Sequence, residues 1–342
     1  MVYASRRVLY QEGTRILTTP RARSGCSRLG RPRRGGKQHP IALDRIQWKG
    51  EQSFRMLSYY CSIRWNVDAA GAYVRRWLGD FTVPDDPEEL GEIWAPGLPP
   101  LYSIVRRRPG PDAYNLLYGE GIMLSSRDLE SVLAQLVWHV HSQAIRTTGD
   151  FLLIHAGSVS TRAHEGVLLP APSGYGKTTL VTALVRAGFL YLSDEAGAVD
   201  PVSRKLYPFA RALTLKDGHA SVFPDLYRTG NGSGWAGAGM RHIRPEDIRP
   251  GARGGPCRIR YVVAHQYSPG EPTRVTPLTP AQGAMVLLAN TLNLPRYRSR
   301  ALPLVADVAR RARSYRLVSG DLDEAVRAIT ELTSRGARTV RA

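Results

Sequence analysis

The chain has 342 residues with 43% hydrophobic content, enough to bury a sizeable core in two domains or one elaborated domain. Its formal charge is +18, and its three cysteines, Cys26, Cys61 and Cys257, lie far apart. An odd, scattered set excludes a disulfide framework and a zinc pattern and suits a reducing cytoplasm. The absence of a run of about eighteen apolar residues, or of an apolar segment behind the basic N-terminus, argues against a membrane span or a secretory signal.

Residues 1–55 carry thirteen Lys/Arg against three Asp/Glu, more than half of the whole excess. Arg21–Lys37 is Gly/Arg-rich without an apolar period, so the segment is expected to be a disordered basic extension. A nucleic-acid or membrane arm and an upstream extension without a role both fit. The second is the expectation, because Met56 opens the first convincing strand, Leu57–Trp65.

Residues 56–149 read as a smaller α+β region. Ala69–Leu78 is a short helix, and Leu101–Arg106 and Tyr114–Tyr118 are strands. Ser125 and Asp128 form an S-x-x-D capping box that opens a helix, in which Leu129, Val132, Leu133, Leu136, Val137 and Val140 recur at helical spacing.

Residues 150–335 alternate strands with helices, the signature of an α/β domain. Phe151–Ser160 is a strand, and Gly166–Pro170 is a continuous apolar one of the buried kind. Lys177–Ala187 is a helix closed by Gly188, and Phe189–Ser193 a third strand. Ala212–Lys216 and Arg258–Tyr267 are strand-like. Thr279–Gln282 has the threonine, proline and glutamine of a helix start. A helix at Ala301–Arg313, a strand at Tyr315–Val318 and a helix capped by Asp321 close the chain. Two glycine-rich segments, Thr229–Gly239 and Pro250–Pro256, read as mobile lids or plain connections.

Between the apolar strand and its helix lies A-P-S-G-Y-G-K-T, Ala171–Thr178, close to G-x-x-x-x-G-K-[ST] with alanine in the first place. The form requires glycines where backbone amides converge on an anion, which Gly174 and Gly176 supply. Lys177 would reach the β- and γ-phosphates of ATP, and the Thr178 hydroxyl would ligate Mg²⁺. The following helix, from Thr179 onward, would aim its positive end at the phosphates, with Ser173 and Tyr175 completing the loop. This Walker A loop makes the chain an ATP-binding protein in expectation. Asp194 and Glu195 end the next strand, placed for Mg²⁺ or for the proton of an attacking hydroxyl, or simply capping a turn. His155 precedes the loop strand and could hydrogen-bond Asp194 or be structural. Arg211 and Lys216 could contact phosphate or be solvated. His139, His141 and His265 form no ligand cluster and read as structural.

The runs I-H-A-G at 154–157, G-V-L-L-P-A-P-S-G-Y-G-K-T-T-L at 166–180 and G-F-L-Y-L-S-D-E at 188–195 resemble the HPr kinase/phosphorylase family. Within it they are closest to divergent kinase-like proteins of bacterial peptide-modification clusters, such as those for lasso peptides. The runs at 207–216 and 315–326 look like that group too. The resemblance implies that Ser173–Thr178 hold triphosphate and magnesium and that Asp194 is the general base for a serine hydroxyl. It also implies that His155 supports the base and that Glu195 has a metal-linked role. The arginine–glycine-rich segment and the dedicated N-terminal domain of true HPr kinases are not evident, which points away from HPr as substrate. The expected activity is transfer of the γ-phosphoryl of ATP to a hydroxyl, a serine of a peptide or protein, by a cytoplasmic enzyme able to form a homo-oligomer. A non-catalytic ATP-binding scaffold of a modification complex is the alternative. A nucleic-acid or membrane partner is not expected.

Overall fold

The computed structural model describes residues 41–83, 102–107, 113–228, 236–237 and 240–339. The basic segment Arg21–Lys37 and most of Thr229–Gly239 lie outside them. The described chain is mixed α/β and is built on three sheets.

The first sheet runs β1 (Gly50–Met56), β2 (Tyr59–Trp65), β3 (Tyr102–Arg106), β4 (Tyr114–Tyr118) and β5 (Gly121–Ser126), side by side in that order. All pairs are antiparallel except β2–β3. Helices α1 (Asp68–Leu78) and α2 (Leu129–Thr147) join this sheet in one apolar core, with Val74, Trp77, Leu133, Leu136 and Val140 packed against Phe54, Ile63 and Ile104. Two expectations are corrected here. Met56 ends a strand rather than opening one: β1 pairs with β2 from Gly50↔Trp65 to Met56↔Tyr59, and Phe54 and Met56 are fully buried. The folded chain therefore begins before residue 56. Helix α2 is capped by Asp128 itself, which accepts from the amides of Glu130 and Ser131, and not by Ser125, whose hydroxyl donates to Asn115.

The second sheet has the order β10 (Lys205–Tyr207), β9 (Ala196–Val199), β6 (Leu152–Ser160), β7 (Glu165–Pro170), β14 (Cys257–Tyr267), β16 (Arg313–Ser319), β15 (Arg274–Leu278), and β8 (Leu190–Ser193) also pairs with β6. β7, β14 and β16 are parallel, and β6 is antiparallel to β7. Every residue of β7 after Glu165 is buried, as its unbroken apolar run requires. A small third sheet holds β11 (Leu213–Lys216), β12 (Ala236–Gly237) and β13 (Met240–Ile243), beside the short helices α4 (Pro224–Arg228) and α5 (Pro245–Ile248).

The second sheet is covered by helices in two separate apolar clusters. In one, α3 (Lys177–Arg186) and α9 (Leu322–Thr339) place Leu180, Val181, Leu184, Ala325 and Ile329 against Val167, Leu169 and Val263. In the other, α6 (Pro280–Ala289) and α8 (Ala301–Arg311) bury Ala284, Leu287, Leu304 and Val308 against Leu168 and Val262, with the one-turn α7 (Leu294–Tyr297) beside them. The Thr279–Gln282 capping box forms as expected. Gly157 sets how closely α3 sits on β6, since a Cβ there would lie 2.6 Å from Val181 Cγ2.

The segment Pro250–Pro256 is no lid. The amide of Tyr191 donates to Ala252 O (2.6 Å) and that of Gly254 to Tyr191 O (2.9 Å), stitching it to β8. Arg253 pairs with Glu246 and, across to the first sheet's side of the fold, with Asp80.

Candidate active site

Strand register places the site. β7 ends at Pro170, which lies opposite Ala156 on β6. On the far edge of β6, the amide of Ala156 donates to Glu195 O at 3.2 Å. The end of the loop strand, the middle of β6 and the Asp194–Glu195 pair therefore share one row across the sheet. The two acids do not tip a strand adjacent to β7, as their position in the sequence suggests. They form the break between β8 and β9, which pair with successive halves of β6. β6 stands between them and the loop strand.

The loop leaves β7 at the buried Ala171, rises through exposed Pro172, Ser173, Gly174 and Tyr175, and enters α3 at Lys177. Gly174 (φ 90°) and Gly176 (φ 81°) both take the left-handed conformation that side chains resist, and a Cβ on Gly174 would meet open space. The alanine in the first motif position costs nothing visible. Lys177 is almost fully buried, and its Nζ donates to the carbonyls of Ala171 (2.7 Å) and Pro172 (2.9 Å), drawing the loop around its own ammonium. Burial lowers the Lys177 pKa, and the nearby Glu195 and Asp194 oppose that shift. Thr179 follows half-buried in the first turn of α3.

The Thr178 hydroxyl donates to Asp194 Oδ2 at 3.2 Å, joining loop and acid directly. The Asp194 side chain is 1% exposed. Its other oxygen faces the Tyr191 hydroxyl (3.1 Å) and Arg211 Nη2 (3.2 Å). The same Nη2 lies 3.1 Å from Glu195 Oε2. Arg211 is thus neither solvated nor free for phosphate: one buried guanidinium neutralises both acids. Its burial acts to lower its pKa, but Asp194, Glu195 and Tyr191 more than offset this and hold it above the ordinary value. Lys216 is exposed at the end of β11.

His155 faces Glu195 rather than Asp194, with Nε2 3.9 Å from Oε1. Its main-chain amide donates to Asn290 O at 2.7 Å, where the chain after α6 takes over the pairing with β6 that β7 gives up. Burial, then Lys177, lowers the His155 pKa, partly countered by Glu195. The ring is therefore neutral near pH 7 and able to accept a proton.

Sequence reasoning missed two members of the site. His265, on β14 beside the loop strand, is buried, and approaches to 3.6 Å the place where a Gly176 Cβ would stand. Tyr267 lies at 3.4 Å from the same point. Only the parallel β7–β14 register, a contact nearly a hundred residues apart in sequence, brings them there. Arg211 was in view, but its partners were not.

Burial pushes the His242 and His265 pKa values down to about 4 and that of His141 well below its usual range. A depressed histidine pKa means that the unfolded chain binds more protons. Stability is then full above about pH 6.5 and declines as pH falls toward 4, by on the order of 3 kcal/mol for each of His242 and His265. Urea unfolding between pH 7 and 4 is expected to show this decline, and His265→Gln to remove its own share of it.

Among the described residues, no helix is long and apolar enough to cross a membrane. No family model matches the sequence, and no curated protein matches it. Among solved structures, the chain is similar to the HPr(Ser) kinase/phosphatase from Coxiella burnetii, with 12% identity and a TM-score of 0.26, over 55% of this chain and 96% of that one. So distant a likeness leaves the reading of the site to its own residues.

Proposed function

We propose that this chain binds ATP with Mg²⁺ on the Ala171–Thr178 loop and transfers the γ-phosphoryl group to a hydroxyl, that of a serine in a peptide or protein. The observation that carries the reading is the Thr178–Asp194 hydrogen bond. A loop threonine and a carboxylate from a nearby strand are the pair that holds magnesium in phosphate-loop proteins. Here they already touch beneath two left-handed glycines and the amino end of α3. Mg²⁺ takes one or two carboxylates and completes its shell with phosphate and water, so Thr178 and Asp194, with Glu195 beside them, fit it. When bound, the ion would neutralise charge on the phosphates.

The residues divide the remaining work. Lys177 exchanges its two carbonyl partners for phosphate oxygens. The resemblance gives Asp194 the part of the base, but its burial between Arg211, Tyr191 and Thr178 favours a place at the metal. Glu195 is 40% exposed and faces a neutral His155, so this pair is the one an incoming hydroxyl can reach. The proton leaves the hydroxyl for Glu195 or His155 as the hydroxyl oxygen bonds phosphorus and the β–γ bridging oxygen departs with the diphosphate.

Incubation of the full chain with ATP, Mg²⁺ and serine-bearing peptides is expected to add one phosphate to a peptide, read by mass spectrometry. Glu195→Gln is expected to lower kcat by about 10²–10⁴ with nucleotide affinity kept. His155→Asn is expected to shift the acid limb of the pH–rate profile. Tight nucleotide binding without consumption in the presence of any hydroxyl peptide would sink the kinase reading in favour of a non-catalytic nucleotide-binding role.

A further inference from the structure

At the other end of β14 from the phosphate loop lies a cavity of about 150 Å³. Ser203, Arg204, Lys205, Arg258 and Arg311 line it with the apolar Ile259 and Val308, so four of its seven residues are cationic. β14 runs seven residues from Arg258 to His265, which puts this cavity roughly 23 Å from the loop at about 3.3 Å per residue.

The local arrangement costs energy as it stands. Lys205 and Arg258 are registered directly opposite each other in the antiparallel β10–β14 pair, a placement of like charges that destabilises a sheet. Arg204 adopts φ 61°, a left-handed conformation that a non-glycine residue resists. Asp307 pairs with two of these cations. Its oxygens already accept from Arg204 Nε (2.8 Å) and Arg311 Nε (3.0 Å), with Arg310 also in range. Glu165 stands opposite Arg258 on β7, but its carboxylate faces Arg260 Nε at 3.6 Å. Among the described residues, neither Lys205 nor Arg258 forms an ion pair. A strained turn thus presents a cluster of cations whose nearby carboxylates are already engaged: Asp307 by Arg204 and Arg311, and Asp200 by the amides of Val202 and Ser203.

We propose that this cavity is a second anion site, distinct from the phosphate loop, that takes the phosphate dianion of a small phosphorylated molecule. Guanidinium forks from Arg258 and Arg311 match phosphate oxygens bidentately, and Lys205 adds a point charge. The volume is well below the roughly 300–1,000 Å³ of cavities that enclose drug-sized ligands, so it suits a phosphate group rather than an enclosed nucleotide. Binding would relieve the Lys205–Arg258 repulsion, so site and strain explain each other. The proposal does not rest on the kinase reading.

Thermal unfolding of the full chain in inorganic phosphate, compared with chloride at matched ionic strength, tests it. The wild type is expected to gain about 2–4 °C, saturably, in phosphate alone. Lys177→Ala removes any share belonging to the loop and is expected to keep most of the gain. Arg258→Ala and Lys205→Ala are each expected to unfold no earlier than wild type without phosphate, since one repelling charge is gone, and to lose the gain with it. Phosphoserine in place of inorganic phosphate separates a monoester ligand from the free ion, and a gain with either supports the site. An equal phosphate response in wild type and in both cavity variants overturns the proposal, as does a response that vanishes in Lys177→Ala or is absent throughout.

Discussion

Replacing Asp194 by alanine is expected to lower the unfolding free energy by about 3–5 kcal/mol and to abolish phosphoryl transfer, and adding Arg211→Met is expected to restore most of the stability and none of the activity. The asymmetry follows from burial. The side chains of Asp194 and Arg211 are 1% and 13% exposed. Removing the carboxylate strands a guanidinium out of water and takes an acceptor from the hydroxyls of Tyr191 and Thr178. The surviving partner, Glu195, cannot fully compensate, because at 40% exposure its charge is largely satisfied by solvent. For the same reason Glu195 tolerates the later loss of Arg211 by rehydrating. Methionine fills the guanidinium's stem volume without its charge, and an apolar replacement of a buried pair is often close to neutral. Urea unfolding of the four chains of this cycle, with peptide phosphorylation measured on each, separates the two roles of Asp194. A single Asp194→Ala chain as stable as wild type would show that the buried pair contributes nothing.

The periodic elements were legible because their signals are local. The apolar run Gly166–Pro170, the helix after Lys177, the Thr279 capping box and strand Tyr114–Tyr118 all appear within a residue or so of their expected bounds. The glycine loop was legible for the same reason: positive φ at Gly174 and Gly176 is a property of the turn itself. What failed to show depends on pairing. β1 was hidden because GEQSFRM carries little apolar alternation. Only its partner β2 and the burial of Phe54 and Met56 make it a strand. Ser125 looked like a cap because S-x-x-D fits one, yet Asp128 outcompetes it with two acceptor oxygens one residue before the helix. In the candidate site, the gathering of Asp194, Glu195 and His155 near the loop could be read, but not which acid faces the histidine. That choice is made by the row across β7, β6 and the β8–β9 break, and by Arg211, sixteen or more residues further on.

Lys177→Ala is expected to reduce kcat/KM for phosphoryl transfer by about 10³, and Lys177→Arg to rescue little of it. The ammonium is a compact charge in a turn that its own carbonyl bonds draw closed, to Ala171 at 2.7 Å and Pro172 at 2.9 Å. A guanidinium is too broad and too fixed in plane to take both the loop and a phosphate there. Stability is expected to fall too, by about 1–3 kcal/mol, because water can replace the lost partner of exposed Pro172 but not that of the buried Ala171 carbonyl. The lysine's charge is itself maintained by the acids, since burial lowers its pKa while Glu195 and Asp194 raise it. Glu195→Gln should therefore move the alkaline limb of the pH–rate profile to lower pH, as the residual activity loses its ammonium sooner. Nucleotide titration and transfer rates measured from pH 6 to 10 on wild type, Lys177→Arg and Glu195→Gln check both statements. An unmoved alkaline limb in Glu195→Gln would mean that the acid row does not act on the loop's lysine.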